Sequence, residues 1–423
     1  MAKGSLIRFI TAREVFSDRG HPGIEATVVT EDGSIGEAIV TAGVSVGKHE
    51  VQFAYDGGKK WGGLGVQKAV HNVQAVIAPA LIGMDAIRQR DIDGVMLELD
   101  GTPEKAKLGG NAIASVSAAT LKAGAASLGI PLYQHIGGVN ACTLPTPGAI
   151  CLVGSDRYGG GKRAGGKPSY SFICHGFDTF SDASYACWDV QRSYYKLLEK
   201  RFGVKVLGNV MPPVPPGKVK HDRELWDAMV EAIAAAGYEG KVGIQVDVAA
   251  GCYYEPEKEA FVGLFSKEDK SKDDLIALYK DMVARYPFVI LEDPLDEDDY
   301  EGHAVVTREL GIEIVGDDLF TTSSERVIQG IKVGAANAVL LKVNQIGSIS
   351  EAFDMVQLAY RHGYGVMPCS SRGEGADIAD YCVGLGTGHV RESGVGPSAN
   401  RLLRIEEELG SRAKFLGKAG LKP

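Results

Sequence analysis

Phe288-Val289-Ile290-Leu291-Glu292 is four apolar residues closed by a carboxylate, and three other stretches in the second half of the chain share its form. Gly243-Ile244-Gln245-Val246-Asp247 and Ile314-Val315-Gly316-Asp317 also end on an acid, while Asn337-Ala338-Val339-Leu340-Leu341-Lys342 ends on a lysine. Short apolar runs of this length read as buried strands. Between and around them lie stretches of helical periodicity, Leu225 to Ala236, Lys272 to Arg285 and Ile349 to Arg361, and a further apolar run follows at Gly365 to Met367. Strands that alternate with helices imply a parallel sheet, and this many in one chain fit a β/α barrel better than an open sheet.

The charged closing residues are the next clue. In a barrel the C-terminal strand ends converge on one site, so Asp247, Glu292, Asp317 and Lys342 can meet although 45, 25 and 25 positions separate them in sequence. Three carboxylates beside a lysine suit a hard divalent cation such as magnesium, which prefers oxygen ligands and keeps positions open for substrate oxygens. A lysine next to such a cation can act as a base towards a carbon adjacent to a carboxylate. The plainer alternative, strand-end caps and surface ion pairs, serves for any one acid but does not explain four charged ends at regular strand termini.

Outward from this core the chain divides. Ile24 to Val29, Asp32-Gly33 and Ile35 to Val40 read as strand, turn and strand, and Val66 to Leu81 and Ile113 to Leu128 as helices. Gly137-Gly138, followed by Pro145 and Pro147, marks a boundary. The expected division is an α+β domain over 1–138 and a barrel domain over 139–423, with 154–167 as loop. The chain has 423 residues with 45 basic and 54 acidic side chains, a formal charge of −9. That balance argues against nucleic acid or an anionic membrane as principal partner, and no apolar stretch reaches the length of a membrane span. No secretory signal precedes Phe9, and the seven cysteines include no Cys-x-x-Cys pair, so reduced thiols and a cytoplasmic location are expected.

Several motifs together resemble the enolase family over nearly the whole chain. They are Ser17-Asp18-Arg19-Gly20-His21-Pro22, Gly43-Val44-Ser45-Val46-Gly47, Glu98 to Thr102 and Leu108 to Ala112 in the first domain. The second contributes Leu291-Glu292-Asp293-Pro294-Leu295-Asp296, Gly316 to Leu319, Lys342 to Gly347 and Leu402 to Leu409. The resemblance implies an enolase-like N-terminal α+β domain followed by a modified (β/α)8 barrel. It implies a magnesium-dependent hydro-lyase with Asp247, Glu292 and Asp317 on the tight Mg2+, Ser45 on a second, and Lys342 as the base. Arg372, Ser371, Ser370, Arg391 and Arg157 are the implied contacts to a small anionic phosphorylated or phosphonate carboxylate. A homo-oligomer, dimer or octamer, is implied as well.

The departures from the family fall in its catalytic loops. Gly154 to Gly161 replaces a histidine-bearing loop and puts Arg157 near that histidine's place; Ser169 stands for one catalytic glutamate, and Val210, in Gly208 to Pro212, for the other. In Cys369 to Glu374 the family histidine is lost and Arg372 sits one position late, while Arg391 stands for the lysine that holds the substrate carboxylate. The half of the machinery that makes a carbanion is retained, and the half that activates the leaving group is replaced. General-acid help is typically worth about two to four orders of magnitude, so His175, Tyr158 and Tyr170 are candidates for a replacement acid, although a structural role is the plainer reading of each. Arg157, Lys162, Arg163 and Lys167 enrich the new loop in cation; this is either a solvated basic loop or the contact for a substrate with more, or differently placed, negative charge than 2-phosphoglycerate, for example a phosphonate or carboxyphosphonate analogue. An isomerase or epimerase on another anionic carboxylate, which needs no leaving group, and an inactive enolase-like binding protein are the alternatives.

Overall fold

The computed structural model describes residues 4–17, 20–43, 46–154, 156–161, 166–207 and 211–423. Three strands open the chain, β1 (Ile7–Phe16), β2 (Pro22–Thr30) and β3 (Ile35–Thr41), paired antiparallel in the order β1-β2-β3. The Asp32-Gly33 turn and the strands around it are where the alternating pattern predicts them. β1 was not anticipated from the sequence. Helix α1 (Gln89–Asp100) and the long α2 (Gly110–Ser127) follow, and α2 lies across β2 and β3. α2 is built largely of Ala, Gly and Ser and is buried along nearly its whole length. Such small side chains let its backbone come close: a Cβ on Gly36 of β3 would stand 2.0 Å from the carbonyl oxygen of Ala119.

The second unit is an eight-stranded sheet that curls into a barrel. Its strands are β4 (Thr146–Leu152), β5 (Ser169–Cys174), β6 (Val242–Asp247), β7 (Phe288–Glu292), β8 (Glu313–Gly316), β9 (Ala338–Leu341), β10 (Gly365–Pro368) and β11 (His389–Val390). The spatial order is β10-β9-β8-β7-β6-β5-β4-β11, and an Arg391 N–H bond to the Pro368 carbonyl (3.2 Å) draws the two ends together. Pairing is parallel throughout except at β5, which runs against both β4 and β6. The barrel departs from a regular β/α repeat there, because a hairpin replaces one strand-helix unit. Around it pack α3 (Phe180–Phe202), α4 (Arg223–Ala235), α5 (Lys272–Arg285), α6 (Tyr300–Leu310), α7 (Ser324–Val333), α8 (Ile349–Arg361), α9 (Asp377–Leu385) and α10 (Pro397–Leu409). Among the described residues no single helix is long and apolar enough to cross a membrane.

Strands covered on both faces are apolar along their length rather than alternating, and every residue of β6, β8, β9 and β10 is buried. The lumen is filled by its own cluster, Ile173, Ile290, Val315, Ala338, Leu340, Met367 and Cys369. Gln245 also points inward, its side-chain amide donating to Glu292 Oε2 at 3.1 Å.

The β4–β5 connection is tied down by a buried polar knot. Asp222 is fully buried and accepts from Arg157 Nε (3.0 Å) and Nη2 (3.1 Å), from the Tyr158 hydroxyl (2.8 Å) and from the Tyr170 hydroxyl (2.7 Å). Trp226 Nε1 in turn donates to the Tyr170 oxygen at 3.0 Å, and its ring meets Phe265, Tyr286 and Phe288 edge-on. Removing one partner from a buried charge pair typically costs about 3–5 kcal/mol, because the other is left uncompensated. Asp222→Ala is therefore expected to lower the unfolding free energy by about that amount, read from urea or guanidinium melts; a loss within about 0.5 kcal/mol, the usual size of a surface substitution, would contradict the anchor.

Candidate active site

Period two along each strand decides which side chains reach the site. Residues i and i+2 share a face, so a lumen-lining residue places the residue two positions later on the inner rim. Gln245 leads to Asp247, Ile290 to Glu292, Val315 to Asp317 and Leu340 to Lys342. All four rim residues are buried, at 5% exposure or less. Adjacent parallel strands set Asp247 opposite Glu292. Lys342 Nζ donates to Asp317 Oδ2 at 2.5 Å, and Gln345 Nε2 donates to Asp317 Oδ1 at 2.8 Å.

Two further cations enter the acidic cluster. Arg391, just past β11, contacts Asp247 Oδ2 through Nη2 and lies 3.3 Å from Glu292 Oε1 through Nη1. Its Nη2 also donates to the Ser169 hydroxyl at 2.9 Å. Lys167, at the end of the β4–β5 connection, brings Nζ onto the same Asp247 oxygen. Burial and the nearby Arg391 guanidinium pull the Lys167 ammonium down to about 8. Burial works against the charged form of Lys342 too, yet Asp317 outweighs it and the lysine sits above its ordinary range. Asp317 is correspondingly held below the usual carboxylate range: burial opposes its charge, and Lys342 with Arg372 more than offsets that. Burial, helped by Asp317, pushes Asp318 up to about 7.

Above these groups opens a cavity of about 390 Å3 lined by Lys167, Ser169, Lys342, Ser371, Arg372 and Arg391 together with Gly43, Ile150 and Met211. Ser370 lines a smaller neighbouring cavity that shares Ile150, Met211 and Glu392 with the first. The expected rim acids, Lys342, Arg372, Ser371 and Arg391 are thus brought to one place, with Ser370 beside it.

Arg157 is not. Its Nε and Nη2 pair with Asp222, a contact within the fold, and the residue does not line this cavity, where a substrate contact was expected. None of the replacement acids faces the cavity either. Tyr158 and Tyr170 donate to Asp222, and His175 follows Cys174, which pairs with Val242 at the far end of β6. Ser45, Val210, Lys162 and Arg163 lie outside the described residues.

The first domain closes one side. Both outer nitrogens of Arg372 bond Glu50, the Thr41 N–H donates to the Arg372 carbonyl (2.9 Å), and Asn344 Nδ2 donates to the Thr41 carbonyl (2.8 Å). Lys48 reaches Asp296 (3.2 Å), Glu297 (3.4 Å) and Asp298 (3.2 Å) on the barrel, and His49 Nε2 lies 2.7 Å from Asp298.

Sequence against known proteins agrees with this architecture. The family model for the enolase N-terminal domain matches residues 7–136, and the model for the enolase C-terminal TIM barrel domain matches 155–423. The chain belongs to the enolase family. A protein named Enolase from Methanopyrus kandleri is 43% identical over 425 residues, covering 96% of each chain. Those of the same name from Methanocaldococcus jannaschii and Pyrococcus furiosus are each 40% identical, over 97% of this chain and 97% and 96% of theirs. This enolase-family chain is accordingly a hydro-lyase, with the family's N-terminal domain and barrel.

One residue was missed from sequence. Among the described residues, the acids whose oxygens fall within 4.8 Å of one another are Glu292, Asp293 and Asp317, and Asp293 is the unexpected member. It holds a left-handed backbone (φ +43°) and accepts from the backbone N–H of Asp317 (3.1 Å), Leu319 (3.3 Å) and Asp318 (2.8 Å). Asp293 therefore fixes the turn that presents Asp317. The acid after the strand-closing glutamate, followed by Pro294, was the available signal. Asp293→Asn tolerates the left-handed backbone but turns an NH2 towards a backbone donor. Leaving a buried group unsatisfied costs about 1–3 kcal/mol, so the variant is expected to lose that much in a denaturant melt and to lose kcat with it; a variant matching wild type in both would refute the role.

Proposed function

We propose that the chain is a magnesium-dependent hydro-lyase acting on 2-phosphoglycerate or on a phosphonate or carboxyphosphonate relative of it, with Asp247, Glu292 and Asp317 holding the metal and Lys342 as the base. The observation that carries this reading is the meeting of three buried carboxylates and Lys342 on one rim beneath a cavity lined by further cations. The donor set suits a hard cation: Asp247 Oδ1 is buried and accepts no hydrogen bond among the described residues, and a metal would satisfy it. When bound, magnesium would supply positive charge against which a substrate carboxylate can take up electron density.

The rest falls to the chain's own side chains. Lys342, whose charged form a bound divalent cation would disfavour, takes the proton from the carbon next to the carboxylate on its neutral Nζ. The electron pair left behind forms the new carbon-carbon double bond as hydroxide departs from the neighbouring carbon. Arg391 and Arg372 present forked donors to the anionic ends of the substrate. Ser169 lines the cavity where the family resemblance puts a glutamate, so no carboxylic acid serves the leaving group from that position. The cationic wall, Lys167 above all, favours the developing hydroxide electrostatically. The same wall favours a substrate with more negative charge than 2-phosphoglycerate.

Two measurements test this. Wild type should exchange the α-proton of its substrate with deuterated solvent even where elimination is slow, and Lys342→Ala should not; exchange that persists in the variant puts the base elsewhere. Turnover of 2-phosphoglycerate should fall below that of carboxyphosphono or phosphono analogues at equal magnesium. Consumption of 2-phosphoglycerate at an ordinary kcat of about 1 to 10³ per second, with no gain on the analogues, would leave plain enolase activity and no shift in substrate.

A further inference from the structure

On the rim of the barrel, each acid expected to hold the metal is already met by a side-chain cation. Asp247, Glu292 and Asp317 carry three negative charges, and Lys167, Arg391 and Lys342 bring three positive ones into direct contact with them. Buried ions persist only when paired in this way. Adding a divalent cation to the three acids sets the metal against the three side-chain cations already in contact with them.

These cations are not equally free to yield. Arg391 is held by several groups at once, Ser169, Glu292 and Asp247 among them. Lys342 sits on Asp317 at the root of the site. Lys167 differs, because its backbone is fixed while its ammonium rests on Asp247 alone among the described acids. The Tyr253 hydroxyl donates to the Lys167 carbonyl at 2.5 Å, and a Cβ on Gly154 would overlap that carbonyl at 1.8 Å. The strand entry is thereby pinned, and what remains mobile is a flexible four-carbon stem ending in a compact charge at the wall of the cavity.

We propose that Lys167 is an exchangeable counter-ion: it holds Asp247 while the metal is absent and turns onto the substrate's anionic group when a divalent cation takes the carboxylates. Metal and anion then bind cooperatively, and Lys167 selects for substrates carrying the extra negative charge. The inference rests on the metal site proposed above. Neither partner needs a conformational change of the barrel; one side chain changes sides. Linkage requires the effect to be reciprocal, so that whatever the anion does for the metal the metal does for the anion.

Calorimetric titration with magnesium, with and without phosphonoacetate, tests this, since that probe joins a carboxylate to a phosphonate and has no leaving group. In wild type, phosphonoacetate should tighten magnesium binding by a factor within the usual coupling range of about 5 to 150. Lys167→Met should bind magnesium alone more tightly than wild type and lose most of that enhancement, while Lys167→Arg should keep it. Arg391 still covers Asp247 in both variants, and equal thermal melts would show them folded; should the methionine variant not fold, Lys167→Gln takes its place. An uncharged variant with wild-type magnesium affinity, or with undiminished enhancement, overturns the counter-ion role while leaving the metal site standing. Wild type that binds no magnesium, indistinguishable from Asp317→Ala, overturns the metal site and this inference with it.

Discussion

Three carboxylates gathered in a barrel mouth at 4% exposure or less would repel one another and lose their hydration, so they persist only because cations are gathered with them. That compensation shapes everything around it. Lys342 and Asp317 come from adjacent strands, Arg391 from the strand that closes the barrel, and Lys167 from the hairpin that interrupts the β/α repeat. Each element that delivers a cation is therefore an element the acids need.

The same logic extends to the first domain. Arg372 is buried and cationic close to this cluster, and it is Glu50 from the other domain that neutralises it. Ser350 donates to Asp93 through both its N–H (2.9 Å) and its hydroxyl (2.6 Å), and Lys105 reaches Glu351 at 2.7 Å, so the domains are joined by polar bonds as well as by packing. Docking of the N-terminal unit is thus part of the electrostatics of the barrel mouth.

Much of this was legible in the chain, and the reason is periodicity. Runs such as Phe288 to Glu292 are long enough to declare a buried strand, and a fixed period of two carries the inner-face register onto the closing charge. What stayed illegible depended on which partner a side chain meets. Arg157 sits among other basic residues and reads as part of a cationic loop, yet Asp222, distant in sequence and preceding a helix, claims it. Tyr170, named as a possible replacement acid, is claimed by Asp222 in the same way. β5 was hidden because Ser169 to Cys174 mixes polar and apolar residues and lies in a reversed orientation that no spacing rule announces. Asp293 was passed over because its work is done on backbone amides, which sequence does not display.

The reversed strand has a consequence for how such a molecule can change. Because β4 leaves the barrel at its mouth and β5 re-enters there, the two described ends of their connection, Val153-Gly154 and Gly166-Lys167, line the cavity. Lengthening such a span costs little entropy, about 0.6 kcal/mol for each doubling, and loops on a rigid frame tolerate replacement. The fold thus keeps one editable segment against its reacting groups, so a lineage can rewrite what it accepts at the mouth while the acids and the base below stay where the strands put them.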